Sequence, residues 1–190
     1  IQEYQVSGFR VREYEELEST NTEAERVGWS ELEDKMVILT YRQTQGRGQV
    51  GNHWESEPGK NISMTVVFKP RELPAGQQFA VSMVIALGAC DFISRYVSGC
   101  SVKWPNDIYV GDRKISGILI EHSIMGRYVG GSLCGIGVNI NQERFLSDAP
   151  NPVSLFQLIG KEIPVKRALE ELLDCIGKRY ETIRDYEGLE

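Results

Sequence analysis

Hydrophobic and polar positions in this chain follow two periods, one of two residues and one near 3.6. Residues 36–41 (MVILTY) and 61–68 (NISMTVVF) are apolar and rich in β-branched side chains, which predicts two buried strands. Residues 9–17 alternate less cleanly and predict a further strand. Beyond residue 100 strands follow quickly, at 101–104 with 108–110, at 114–121 and at 128–139, with Gly111-Asp112 and Gly126-Arg127 as the tight turns. Helical spacing governs 77–97, with apolar residues at 79, 83, 87, 90, 93 and 97. It also governs the tail, at 165, 168, 169, 172, 173, 176, 180 and 183. Thr20 with Glu23 reads as a capping box opening a short helix, and a second short helix is expected near 153–159 after two prolines. Strands in runs with helices between them predict an α+β fold, a mainly antiparallel or mixed sheet with helices packed on one face.

Composition narrows the picture little further. The 190 residues suit one domain over 1–190, and 41% hydrophobic with 25% charged residues is ordinary for a globular chain. Twenty-one basic against 27 acidic side chains give a net charge of −6, which argues against a broad nucleic-acid surface. Four scattered cysteines, with no C-x-x-C pair, read as reduced core thiols of a cytoplasmic protein. The longest apolar stretch, 79–93, is short and interrupted for a bilayer span, and no signal-peptide pattern opens the chain.

Four segments carry candidate chemistry. Gly46-Arg47-Gly48-Gln49-Val50-Gly51 matches G-x-G-x-x-G after a strand, but the following Asn52-His53-Trp54-Glu55 and the nearby Pro58 do not open a helix. A dinucleotide fold is therefore a poor match. Its glycines would let backbone N–H groups wrap an anion, with Arg47 as a fork, and a plain surface turn is the alternative. In Lys103-Trp104-Pro105-Asn106-Asp107 the proline breaks a strand. Trp104 is expected in the core, while Lys103 and Asp107 flank the turn as candidates for an anion contact and a metal or amine contact. Lys114 begins a strand in which Gly117 marks a close approach or a bulge. Gly135 and Gly137 leave a shallow floor or a bend ahead of Asn139. The two histidines, His53 and His122, have no acidic or thiol cluster near them in sequence, so a protein metal cage is not expected.

Taken together, Ser19-Thr20-Asn21, Gln43 with the Gly46–Gly51 loop and Trp54, KWPND at 103–107, KISGIL at 114–119 and GIGVNIN at 135–141 occur in a set order. In that order they resemble the biotin protein ligase catalytic domain, the biotin–acetyl-CoA-carboxylase ligases. The resemblance covers about two-thirds of the chain. It implies the class II synthetase-like fold of the biotin and lipoate ligases and a two-step reaction. Biotin is activated by ATP with Mg²⁺ carried on the phosphates, giving biotinyl-AMP. Biotin then passes to a lysine of a biotin carboxyl carrier protein domain.

By the same resemblance Arg47, Lys103, Asp107 and Lys114 carry the chemistry. Ser19, Thr20, Asn21, Gln43, Gly46, Arg47, Gly48, Trp54, Lys114, Gly117 and Asn139 bind biotin and nucleotide, Trp54 near the adenine. Relatives can form homodimers by extending their sheets. Many bacterial relatives carry a more arginine-rich loop where this chain has Gln49, Val50 and Asn52, so loop closure should depend less on charge. Neither a winged-helix segment ahead of the domain nor a small β-barrel after it is legible, so a repressor role has no support and full activity is open. Lipoate ligases and octanoyltransferases are the nearest rivals, but they carry an R-R-x-x-G-G-G-type loop. A non-catalytic biotin sensor should lack Arg47 or Lys114, and both are present.

Overall fold

The apolar runs pair into a single eight-stranded sheet in a computed structural model that describes residues 1–49, 51–147 and 149–184. In chain order the elements are β1 (Gln2–Val6), β2 (Phe9–Tyr14), α1 (Thr20–Val27), β3 (Met36–Thr40), β4 (Ile62–Phe68), α2 (Phe79–Ile93), β5 (Cys100–Lys103), β6 (Asp107–Val110), β7 (Arg113–Met125), β8 (Tyr128–Val138), α3 (Leu155–Ile159) and α4 (Val165–Tyr180). The strand order is β1-β2-β3-β4-β8-β7-β6-β5. Every adjacent pair is antiparallel except β2 and β3, which α1 joins as a crossover. The expected mixed sheet is therefore present. The β1 strand was not legible, because its Gln-Glu-Tyr-Gln-Val run at the sheet edge is mostly polar.

Alternation along the strands separates two faces. Val37 and Leu39 of β3 join Met64, Val66, Ile136 and Val138 in the main core beneath α2 and α4, whereas Met36 and Ile38 point the other way, toward Ala24 of α1. The two long helices thus share one face, as expected, and α1 lies across the other. Gly88 of α2 lets the helices meet: a Cβ there would stand 2.8 Å from the Ile176 backbone of α4. At the far end of α4 the Tyr180 ring stacks on Phe68 at 3.9 Å and its hydroxyl donates to Asp34 at 2.7 Å.

Three local readings need correction. The spacing 79, 83, 87 marks the outer face of α2, since Phe79, Met83 and Leu87 are exposed while Val81, Val84, Ile85, Ala89 and Phe92 fill the core. A helix apolar all round has no unique stripe, so the spacing runs along the outer face at 79, 83 and 87 and reaches the core at Ile93. By length and composition the stretch Ala75–Ile93 could also cross a membrane, yet its inner face forms the core. Trp104 is 75% exposed, standing on the β5–β6 turn with Phe79 as ring neighbour at 6.5 Å between centroids. The Thr20–Glu23 capping box does not form: Ser19 is the N-cap, without a side-chain capping bond. A capping box does open α3, where Ser154 and Gln157 bond reciprocally.

Gly88→Ala gains up to about 1 kcal/mol of helix propensity but costs about 1–3 kcal/mol by forcing α2 and α4 apart. The urea midpoint is expected to fall at unchanged m-value. A raised midpoint would mean that the helices have room to spare.

Candidate active site

The face of the sheet under α1 changes character along its strands. In β4–β8–β7 register, one row reads Val67, Leu133, Glu121, the next Thr65, Gly135, Leu119, and the third Ser63, Gly137, Gly117 with Asp107 of β6 beyond. Apolar contact with α1 thus gives way, over four residues, to a floor without side chains. Above this floor lies a cavity of about 730 Å³, in the range of small-molecule sites. Of the residues singled out from sequence, Ser19, Thr20, Asn21, Gln43, Arg47, Gly48, Trp54, Lys103, Asp107, Lys114, Gly117 and Asn139 line it. Gly46 does not. It lies behind the wall, where a Cβ would stand 2.3 Å from the Trp54 carbonyl oxygen and 2.7 Å from the Gln43 amide nitrogen.

The N-terminus of α1 enters the cavity with its hydroxyls free of capping duty. Gln43 performs the capping: its Oε1 accepts from the Thr20 N–H at 3.0 Å, satisfying a donor that the helix leaves open. Thr65 donates to Asn21 Oδ1 at 2.6 Å, and its hydroxyl also lies 2.8 Å from that of Thr20. The Asn21 amide group donates to Glu121 at 2.9 Å and reaches the Leu119 carbonyl at 3.4 Å. Asn21 is therefore occupied by internal partners, and it fixes α1 on the sheet.

The loop after β3 is a small hairpin rather than an open anion nest. Gly48 N–H donates to Asn52 at 3.0 Å, Asn52 N–H to Gln49 at 2.8 Å and Trp54 N–H to Gly46 at 2.9 Å, so these backbone donors face inward. Val50, within the same motif, lies outside the described residues. Side chains hold the hairpin across the cavity. Gln49 donates to Asn106 Oδ1 at 3.0 Å, and Asn106 in turn donates to the Ile118 carbonyl. Arg47 bridges Glu25 of α1 at 3.0 Å and Glu121 of β7 at 2.9 Å. The hydrogen bond that Arg47 donates to Glu25, together with the charge of Glu121, holds its guanidinium pKa above the ordinary value against the opposing effect of burial.

The hairpin delivers Trp54 onto the bare floor. A Cβ at Gly137 would stand 2.2 Å from the indole and one at Gly117 2.9 Å, so both positions must be glycine for the ring to lie there. Lys114 holds its ammonium 5.9 Å from the same ring and pairs with Asp107 at 2.8 Å. Lys103, on the turn, lies 4.8 Å over the Tyr109 ring. Three buried polar atoms on the lining, Ser63 Oγ, Trp54 Nε1 and Asn139 Oδ1, have no protein partner. Such atoms are costly when unmet, and they mark where a ligand with mixed donors and acceptors fits.

Glu55, beside Trp54, receives the backbone N–H groups of Leu146 and Ser147 at 2.8 and 2.7 Å and thereby fixes the 145–147 wall. Burial alone would raise its pKa, but these bonds and that from Gln142 outweigh it and hold the carboxyl below its ordinary value. Sequence reasoning missed Glu121, Glu25, Thr65, Ser63 and Glu55. Only Glu121 had a legible signal, as a carboxylate ending an otherwise apolar strand.

Gly137→Ala should lift the indole off the floor into water and shift tryptophan emission to the red, and no such shift should arise in a Trp54→Phe background. The fold should lose no more than about 1–2 kcal/mol. Unchanged emission would place Trp54 elsewhere.

The sequence and the fold have counterparts among known proteins. The biotin/lipoate A/B protein ligase family model matches residues 14–139. The bifunctional ligase/repressor BirA of Bacillus subtilis is 28% identical over 188 residues, which are 96% of this chain and 56% of the relative. The biotin–[acetyl-CoA-carboxylase] ligase of Paracoccus denitrificans is 33% identical over 125 residues, 65% of this chain and 51% of that protein. This chain spans about half the length of these curated relatives. The structure of the Aquifex aeolicus biotin protein ligase in complex with biotin and ATP superposes with a TM-score of 0.76 at 25% identity, covering 92% of this chain and 71% of that one. By its sequence from residue 14 to 139 and by its fold, the chain belongs to the biotin/lipoate A/B protein ligase family.

Proposed function

We propose that this chain carries the catalytic unit of an ATP-dependent biotin protein ligase. It joins biotin to ATP and then passes the biotinyl group to a lysine of a carrier domain. The observation that carries this reading is the composition of one cavity: neutral polar groups at Ser19, Thr20 and Gln43, and the cations Arg47, Lys103 and Lys114, with Trp54 on its glycine floor. An uncharged ureido ring needs paired donors and acceptors, which the first group supplies. The carboxylate at the other end of biotin and the phosphates of ATP need fixed positive charge, which the second supplies.

In the first step a carboxylate oxygen of biotin attacks the α-phosphorus of ATP. The bond to the β-phosphate oxygen breaks, and pyrophosphate leaves with the magnesium it carried. Arg47 holds the carboxylate, while Lys114 and Lys103 offset the charge that develops on the phosphate. In the second step the carrier lysine amine attacks the acyl carbon, the mixed-anhydride C–O bond breaks and AMP leaves. Asp107 is paired with Lys114 at 2.8 Å before nucleotide arrives. Once Lys114 turns to phosphate, Asp107 is free to take the amine proton. The hairpin bridged by Gln49 and Asn106 keeps water from the anhydride.

The test is biotin-dependent pyrophosphate release from MgATP, run beside lipoate and octanoate, followed by label transfer to an added carrier domain. Release with biotin alone is expected. Lys114→Ala should lower that rate about 100-fold or more, as loss of a preorganised charge contact does. Release only with lipoate would move the chain to the sister activity, and unchanged release from Lys114→Ala would remove Lys114 from the reaction.

A further inference from the structure

Every cation of the cavity must serve an incoming anion, yet Arg47 already has two carboxylates. Its Nη1 pairs with Glu25 at 3.0 Å and its Nη2 with Glu121 at 2.9 Å, so one positive charge stands between two negative ones. A third carboxylate would set one cation against three anions, so charge balance favours a ligand acid that replaces one of them over one that joins both. The two partners are built differently. Glu121 lies on β7, and its second oxygen accepts from Asn21 at 2.9 Å; Asn21 is itself fixed by Thr65 at 2.6 Å. Glu25 stands on the outer side of α1, more exposed, and Arg47 is its one hydrogen-bond partner among the described residues.

We infer that Glu121 is a positioning residue that holds the Arg47 guanidinium over the cavity, and that Glu25 is the exchangeable partner whose place the ligand carboxylate takes. The inference rests on the ligase reading for the identity of that carboxylate. It does not depend on that reading for the clasp itself. In the ligand-free chain Glu121 anchors the hairpin to the sheet through Arg47. On binding, Glu25 swings into water and the acid takes over Nη1, so the cluster keeps one cation and two anions throughout. Exchange between like charges leaves the field on Glu121 unchanged. The ligand thus meets an arginine already oriented, rather than one it must order.

The two carboxylates therefore predict opposite effects. Glu121→Gln keeps an acceptor for Asn21 but turns an amide toward Arg47, and the biotin KM in pyrophosphate release should rise about fivefold with kcat within about twofold. Glu25→Gln removes the competitor, and the KM should fall. In an Arg47→Gln background neither change should alter KM further. Hydrogen exchange on the ligand-free protein provides a second readout, at the Gly48, Asn52 and Trp54 amides. They should exchange faster in Glu121→Gln and nearly as in the parent in Glu25→Gln.

Both variants shifting KM in one direction, or additive effects in the Arg47→Gln background, would overturn the assignment, as would unaltered exchange in Glu121→Gln. A parent protein that releases no pyrophosphate with biotin would instead overturn the ligase reading, and the exchange measurement would still decide the clasp.

Discussion

The site depends on a row of side chains that are absent. Gly117 and Gly137 face each other across β7 and β8, and Gly135 follows two residues earlier on the same side of β8. Because side chains alternate with a period of two, these glycines open one continuous trough, while Ile118, Ile136 and Val138 fill the core on the reverse side. Glycine weakens a strand, and three of them in the middle of a sheet are tolerated because the neighbouring strands are long and apolar on their other face. Trp54 and Asn21 occupy the trough so closely that a single methyl group at Gly137 or Gly135 would overlap them.

From that trough the remaining geometry follows in order. A ring seated on the floor fixes the end of the 46–54 hairpin, and the hairpin fixes Arg47 on its first arm and Gln49 where that arm enters the turn. The Trp54 face in turn gives Lys114 an aromatic neighbour beside its carboxylate. On the other flank Asn21 ties α1 to the sheet, and Gln43 ties the hairpin's first residues to the start of that helix. The start of α1 and the strand that carries Glu121 are thereby held by one connected set of hydrogen bonds, although their residues come from segments nearly a hundred positions apart.

Much of this was legible in the sequence, for reasons that differ by element. β3, β4, β7 and β8 are buried on one or both faces, so their apolar runs could hardly be missed. Lys114, Gly117, Gly135 and Gly137 drew attention because lysine and glycine are out of place in strands, while Ser19, Gln43 and Trp54 were singled out through the resemblance. β1 escaped because an edge strand needs little apolar content, and the buried face of α2 was not legible because both its faces are apolar. Thr20 misled for a subtler reason: its hydroxyl is directed at Thr65, a residue 45 positions away, and Gln43 does the capping instead. Glu121 and Glu25 were invisible as a pair, since nothing in their local sequence indicates that one arginine would join them.

That joining answers a problem which any site for anions has before its ligand arrives. A guanidinium or ammonium lining a cavity is costly if it is both desolvated and unpaired, and a loop that carries it gains nothing by staying closed. Here two of the three cations have a resident carboxylate, Asp107 for Lys114 and the two glutamates for Arg47, while Lys103 rests over the Tyr109 ring. The partners lower the cost of the empty state and orient the cations. They weaken binding only by the small difference between one exposed carboxylate contact and another. The hairpin is seated by neutral contacts, the Trp54 floor and the Gln49–Asn106 bond, together with a single clasped cation.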